Sequence, residues 1–224
     1  MSMPASSLPV VLVHGWAFDP SFWDTVRAAL GTITIQSQCL DFGFFSPRPA
    51  MDLPQVPYVA AGHSLGALWL LRHHGPLCRG MVLINGFSRF GTATDFPHGI
   101  PRRVIERMRA GLLRDPEGLL HGFRQRAGID TPVPPHIERG RLEQGLQALM
   151  DMDCRNDLKR ATCPVHIIAG TEDAIAPPTL THACFTPGSG VDAPQWLDGG
   201  HLLPLTHATT CARAIAGMTR RITA

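Results

Sequence analysis

The chain has 224 residues, of which 44% are hydrophobic and 17% charged, and its formal net charge is +2. That is apolar material for one sizeable core, and the near-balanced charge argues against a disordered polyelectrolyte and against a dedicated nucleic-acid binder, which carries a larger basic surplus. No apolar run approaches the roughly 20 residues that span a bilayer, and residues 1–9 lack the charged start and long apolar segment of an export signal, so we expect one soluble, cytoplasmic domain covering residues 1–224.

In chain order, a strand at Val10–Val13 is followed by a helix-like run at 21–30, a strand-like run at 33–40, a strand at 58–61 and at once a helix at 65–74. This is βα alternation. Val10–Val13, 81–84 and 165–169 are continuously apolar, as strands of a parallel sheet covered on both faces must be. Gly75 suits the end of the 65–74 helix, and Pro76 stops it restarting. From Phe87 to about Asp153 strand-like runs vanish, and helices are predicted near 101–113, Pro116–Ala127 and 135–150, each beginning near a proline, which a first helical turn tolerates. We read 87–153 as an inserted helical cap, with Thr131-Pro132-Val133-Pro134-Pro135 as a stiff connector. The sheet pattern resumes at Val165 and at Gln195–Leu197, and a helix at 208–221 ends it. The expected architecture is a mostly parallel sheet flanked by helices, with the cap inserted.

The sharpest local signal is Gly62-His63-Ser64-Leu65-Gly66, directly after an apolar strand and directly before an apolar helix. A serine at so tight a turn takes a strained backbone conformation that projects its hydroxyl, and the flanking glycines remove side chains that would collide with the neighbouring strand and helix. The following helix aims its first N–H groups at the reaction centre, where negative charge developing on a substrate oxygen meets the positive end of a helix dipole. A serine hydroxyl needs a general base, and the base needs an orienting carboxylate. Asp173 lies just past the carboxyl end of the strand at 165–169, where catalytic groups gather in open α/β sheets, and His201 lies in Asp198-Gly199-Gly200-His201 after the next strand. The order Ser64, Asp173, His201 is that of the α/β-hydrolase arrangement. Glu172 and Asp198 are the competing carboxylates, read as solvated or loop-stabilising.

Ester cleavage also needs an oxyanion hole. The N–H of Leu65 is one candidate donor, and the N–H of Trp16, in the His14-Gly15-Trp16 loop after the first strand, is the other; the Trp16 indole can wall the pocket at the same time. Of the eleven histidines, His63, His73 and His74 read as packing or surface residues and His207 as a loop or helix-start residue. The six cysteines are scattered without a C-x-x-C pair and read as buried or idle thiols, so neither metal nor redox cofactor is expected.

With these residues the chain resembles the α/β-hydrolase superfamily and, within it, is most similar to the pimeloyl-acyl-carrier-protein methyl ester esterases of biotin synthesis. The resemblance runs nearly end to end, through Val11-Leu12-Val13-His14-Gly15-Trp16, the Ser64 elbow, the junction Asp153, Arg155, Leu158 and Pro164, the turn ending in Asp173, and His201 with His207 six residues on. It implies Ser64 as nucleophile, Asp173 as acid, His201 as base, and Trp16 and Leu65 as oxyanion donors. It also implies substrate contacts from Trp16, Leu65, Phe123, Arg124 and Arg126. Against the family pattern the chain looks trimmed at its N-terminal side of the sheet, and 47–57 leaves little room for a helix before the nucleophile strand.

Residues 102–126 hold seven arginines (Arg102, Arg103, Arg107, Arg109, Arg114, Arg124, Arg126) against three acids (Glu106, Asp115, Glu117). Interleaved with Val104, Ile105, Met108, Leu112, Leu113, Leu119, Leu120 and Phe123, they read as amphipathic helices, oily toward the site and cationic outward. A solvated helix surface explains such charges, and so does docking of an acidic acyl-carrier protein, which the resemblance favours. The expected activity is therefore a serine carboxylesterase, monomeric, using no nucleic acid or membrane partner, on a methyl ester carried by acyl-carrier protein. A general short-chain esterase, thioesterase or C–C hydrolase with the same residues stays open, as does a non-catalytic binder on the same fold.

Overall fold

The computed structural model describes residues 8–33, 35–185, 191 and 193–223. Among these residues there are six strands: β1 (Val10–Val13), β2 (Ser37–Leu40), β3 (Tyr58–His63), β4 (Cys78–Ile84), β5 (Val165–Gly170) and β6 (Gln195–Leu197). They form one sheet in the order β2-β1-β3-β4-β5-β6, with every neighbouring pair parallel. All residues of β1 and β3 are buried, because helices cover both faces of the centre, while the edge strands β2 and β6 are short and largely uncovered.

The helices α1 (Asp24–Gly31) and α9 (Ala208–Thr223) pack on each other, and α9 also covers β3 and β4. The helix α2 (Leu65–His73) packs on β1, β3 and the short α6 (Arg155–Arg160). From β1 the chain crosses to β2 at one edge, whereas from β3 it proceeds through β4 and β5 toward the other edge. Right-handed crossovers in opposite directions put their helices on opposite faces, and a crevice opens where the directions part. That point lies between the carboxyl ends of β1 and β3, which lead into His14-Gly15-Trp16 and Ser64.

Residues 41–57 join β2 to β3 with no helix. Among the described residues four helices lie between β4 and β5: α3 (Arg102–Arg114), α4 (Pro116–Ala127), α5 (Arg139–Asp151) and the short α6. Asp115 caps α4 by accepting from the Gly118 N–H at 3.0 Å, and Gly128 (φ +110) ends it in the left-handed conformation that glycine adopts most readily. The helix α5 starts later than the proline signal at 135 implied, since Pro134 and Pro135 hold the preceding chain extended and the Glu138 N–H is spent on Phe44 O at 2.8 Å. Similarly the run at 33–40 contributes a strand only from Ser37, because the Ile33 N–H closes the turn onto Leu30 O. The short helices α6, α7 (Pro178–Cys184) and α8 (Leu203–Thr206) had no periodic signal, four to seven residues being too few to show one.

The helical stretch between β4 and β5 is tied back by charge. Arg141 of α5 donates to three carbonyls of the 41–57 connection, Gly43 O, Ser46 O and Pro47 O, at 2.8–3.1 Å. At the point where the chain leaves and rejoins the sheet, Cys154 N–H donates to Ser88 O (2.7 Å) and Asp153 is bound by Arg89 (2.5 Å) and Arg155 (2.6 Å). Arg155 also reaches Asp95 at 2.6 Å, and Arg72 of α2 reaches Asp157 at 2.8 Å.

Hydrogen bonds from Arg155, then from Arg89, hold the Asp153 carboxyl well below the usual carboxylate range. With the folded pKa below the unfolded value near 3.9, its stabilisation is complete above that value and is lost as pH falls toward the folded one. Asp153→Asn is therefore expected to lower stability at pH 7 by about 1–2 kcal/mol. In urea denaturation followed by circular dichroism, the gap to wild type should hold from pH 7 to pH 5 and narrow steadily as pH falls from 4 toward 2; a gap as large at pH 2 as at pH 7 would show that charge is not its source.

Candidate active site

Ser64 stands between β3 and α2 with φ 54 and ψ −117. A non-glycine residue held there is strained, and the packing around it shows what enforces the strain. A Cβ on Gly66 would lie 2.2 Å from Val13 O and 2.6 Å from His14 O, and one on Gly62 would lie 2.7 Å from the Ala67 backbone. Only glycines let α2 press its first turn against the end of β1 and turn so sharply out of β3. The Ser64 N–H donates to Ile84 O (3.2 Å), and its carbonyl accepts from Ala67 and Leu68 (3.0 and 3.2 Å). Among the described residues the non-glycine residues at positive φ are Ala17, Ser64 and Asn85, one following the end of each of β1, β3 and β4.

The close contact at Gly66 brings the His14-Gly15-Trp16 loop beside the start of α2. Neither the Trp16 nor the Leu65 backbone N–H makes a hydrogen bond among the described residues. The Trp16 indole is buried, donates to Leu142 O of α5 at 2.8 Å and meets Phe123 of α4 edge-on at 4.8 Å. The Leu65 side chain lies with Phe42, Phe44 and Trp69 in a separate cleft, so any part it plays at Ser64 is through its main chain.

Asp173 and His201 are both buried and joined by a 2.8 Å bond from His201 Nδ1 to Asp173 Oδ2. Four donors converge on this carboxyl: Oδ1 accepts from the Ile175 and Ala176 N–H groups and Oδ2 from His201 and from Asn85 Nδ2, each at 2.8 Å. An ionised carboxylate satisfies all four. With Nδ1 donating, His201 Nε2 carries the lone pair, and this buried nitrogen has no hydrogen-bond partner among the described residues, Ser64 Oγ included. Glu172 and Asp198, the competing carboxylates, are exposed.

His63 does more than fill space. Its Nε2 donates to the His201 carbonyl at 2.8 Å, its ring lies 4.8 Å from the His201 ring and 4.5 Å from Phe22, and burial pushes its pKa well below the ordinary value, so it is neutral. This bond leaves no local signal in the sequence, because its partner lies 138 residues away along the chain.

A chamber opens at Ser64, walled by Trp16, Phe123, Leu146 and Ile175 and by Val104 and Met108 of α3; apart from Ser64, Arg126 is its one polar lining residue among the described residues. A groove between α3 and α4 shares Val104, Met108, Phe123 and Arg126 with the chamber and adds Arg107, Gly118 and the open position at Gly122. Two expectations for these helices need correction. Arg124 does not belong to an outward cationic face: it is 8% exposed, stands 5.4 Å from the Phe18 ring centre and donates to Thr131 Oγ1, because its position on α4 turns inward. Leu113, expected on the oily side, is 69% exposed. Arg102 and Arg109 are paired with Asp151 and Glu143, whereas Arg103, Arg107, Arg114 and Arg126 form no ion pair among the described residues. No cluster of three His, Cys, Asp or Glu side chains at metal-binding distance is found among the described residues, and no helix there is long and apolar enough to cross a membrane.

Residues 10–214 match the alpha/beta hydrolase family. The chain is an α/β hydrolase. Over 92% of its length this hydrolase is 29% identical to a pimeloyl-[acyl-carrier protein] methyl ester esterase of Stenotrophomonas maltophilia, of which 90% is covered. It is 27% identical to the protein of the same name from Neisseria meningitidis, with 80% of each chain covered. A solved esterase from Exiguobacterium antarcticum superposes with a TM-score of 0.81 at 17% identity, covering 96% of this chain and 93% of the other; that likeness concerns the fold.

Asn85 was not singled out from the sequence, although it directly follows an apolar strand, the position that drew attention to Asp173. For the elbow, the 2.2 Å approach predicts that Gly66→Ala destabilises the hydrolase by at least about 2 kcal/mol. Chemical denaturation measures this, and a change under 0.5 kcal/mol would mean that α2 is not wedged against β1.

Proposed function

We propose that this hydrolase cleaves carboxylic esters through an acyl-enzyme, with Ser64 as nucleophile, His201 as general base and Asp173 as the acid that orients it. The observation that carries the reading is the buried Asp173–His201 bond, which leaves Nε2 as an unspent acceptor at the carboxyl end of the sheet. Ser64 Oγ attacks the ester carbonyl as His201 Nε2 takes its proton. The resulting oxyanion is held by the N–H groups of Trp16 and Leu65 at the positive end of α2, each such donor contributing about 3 kcal/mol. Collapse expels the alcohol, which leaves with the proton from Nε2. Water then repeats the sequence and frees the acid.

The substrate we infer is the methyl ester of a pimeloyl chain on acyl-carrier protein, in cytoplasmic biotin synthesis. Support comes from the names of the relatives and from a chamber suited to an aliphatic chain. Unpaired Arg107 and Arg126 beside the groove suit an acidic carrier and its phosphodiester. Since Arg124 is buried, the charge that steers a partner falls to exposed Arg103, Arg107, Arg114 and Arg126.

Ser64→Ala should abolish labelling by a fluorophosphonate probe and cut ester hydrolysis by at least about 10³-fold; labelling of both proteins alike would remove Ser64 from the chemistry. For the carrier, Arg103→Ala with Arg107→Ala should raise KM for the carrier-linked ester about tenfold at low salt while leaving kcat on a short free methyl ester unchanged. Equal efficiency on carrier-linked and free esters, insensitive to salt, would leave ester cleavage standing and remove the carrier.

A further inference from the structure

We propose that Asn85 is a positioning residue for Asp173 and His201, locking the plane of the carboxylate and setting how much of its charge reaches the imidazole. This rests on the reading of Ser64, Asp173 and His201 given above.

Asn85 is 1% exposed and follows β4 at φ +47, a conformation that Asn, Asp and Gly adopt more readily than other residues. Its backbone N–H is fixed to Ile168 O of β5 at 2.8 Å, and the carbonyl just before it, Ile84 O, receives the Ser64 N–H. From that anchor Nδ2 donates twice, to Asp173 Oδ2 at 2.8 Å and to Gly200 O at 3.3 Å. The amide orientation follows from chemistry, because a flipped Asn85 would set its oxygen against a carboxylate and a carbonyl. Thus one side chain touches the acid and the loop bearing the base while its own strand end holds the nucleophile's backbone. Consecutive carbonyls of that loop are gripped from two strands, Gly200 O by Asn85 and His201 O by His63.

The other end of the amide is unspent: Oδ1 is buried with no partner among the described residues. Burying an unpaired acceptor is costly, so an Asn retained only for packing would gain from replacement by an apolar residue. What singles out an amide is its neutral donor. A carboxylate at position 85 would repel Asp173, and a cation would compete with the imidazolium for the same charge. An apolar side chain would leave Oδ2 with one donor and the carboxylate freer to turn.

The test follows the pH dependence of Ser64 modification by a fluorophosphonate, which needs no knowledge of the substrate, in wild type, Asn85→Gly and Asn85→Asp. Glycine accepts the positive φ, so Asn85→Gly removes the amide alone. Its inactivation rate should fall about 10- to 100-fold with the concentration dependence for the probe unchanged. Its acid limb should also move to higher pH, because Oδ2 then gives more of its charge to the imidazolium and favours the protonated base. In Asn85→Asp the new carboxyl, beside an anion and a carbonyl, takes up a proton and donates as the amide did. Its rate should therefore stay near wild type at low pH and fall as pH rises, adding an alkaline limb that wild type lacks. Rates within threefold of wild type and unmoved limbs in both variants would overturn the assignment. If circular dichroism shows Asn85→Gly unfolded, the presence or absence of the alkaline limb in the isosteric Asn85→Asp decides alone; if that variant is the unfolded one, the glycine variant decides. Labelling that survives Ser64→Ala would overturn the triad reading and this one together, whereas Ser64-dependent labelling with unmoved Asn85 variants overturns this one alone.

Discussion

The approach of α2 to the end of β1 is the constraint on which the site depends. Because Gly66 has no side chain, the first turn of the helix sits against Val13 O and His14 O, and Ser64 has no choice but positive φ. The same contact sets the His14-Gly15-Trp16 loop beside the helix start, where backbone N–H groups and the helix dipole combine. Strain at Ser64 is offset by a sheet centre whose strands β1 and β3 are wholly buried, so the elbow has no room to relax.

Around that elbow, polar groups are arranged so that each strand end restrains the next. β3 contributes His63 to the His201 carbonyl, β4 leads to Asn85 and its bonds to Asp173 and Gly200 O, and β5 leads to Asp173 itself. In a low-dielectric interior such bonds are strong when satisfied and costly when broken, which turns three flexible loops into one rigid group. Three buried atoms of this network have no hydrogen-bond partner among the described residues, His63 Nδ1, His201 Nε2 and Asn85 Oδ1. His201 Nε2 is the nitrogen that the proposed proton transfer needs; Asn85 Oδ1 is what is left over when an amide serves as a neutral donor.

The helices between β4 and β5 are held by a different physics. Their attachment is a set of partly exposed ion pairs around Asp153 and Arg155 together with Arg141 on backbone carbonyls, while their inner faces contribute apolar side chains to the chamber. Charges not consumed in these pairs collect along α3 and the rim of α4, at the groove that shares a wall with the chamber. Partly exposed pairs contribute modestly to stability, so attachment and outward electrostatics use the same residue types at little energetic cost.

Much of this was legible in the amino-acid sequence. Strands covered on both faces announce themselves as apolar runs, so β1, β4 and β5 were readable, as was α4 between its Asp-Pro start and its glycine end. Ser64 was visible from two flanking glycines, and Asp173 and His201 from their places after strands. Helices of four to seven residues were not, since they are too short for a period to appear. Asn85, the bond made by His63, and the burial of Arg124 depend on partners between 7 and 138 residues away along the chain. Local sequence therefore determined which elements form and where chemistry-bearing side chains fall along them, because periodicity, turns and steric limits act between near neighbours. Only the tertiary structure decided which donor meets which acceptor and which arginine faces water, because those outcomes turn on ångström-scale approach between elements that the chain brings together last.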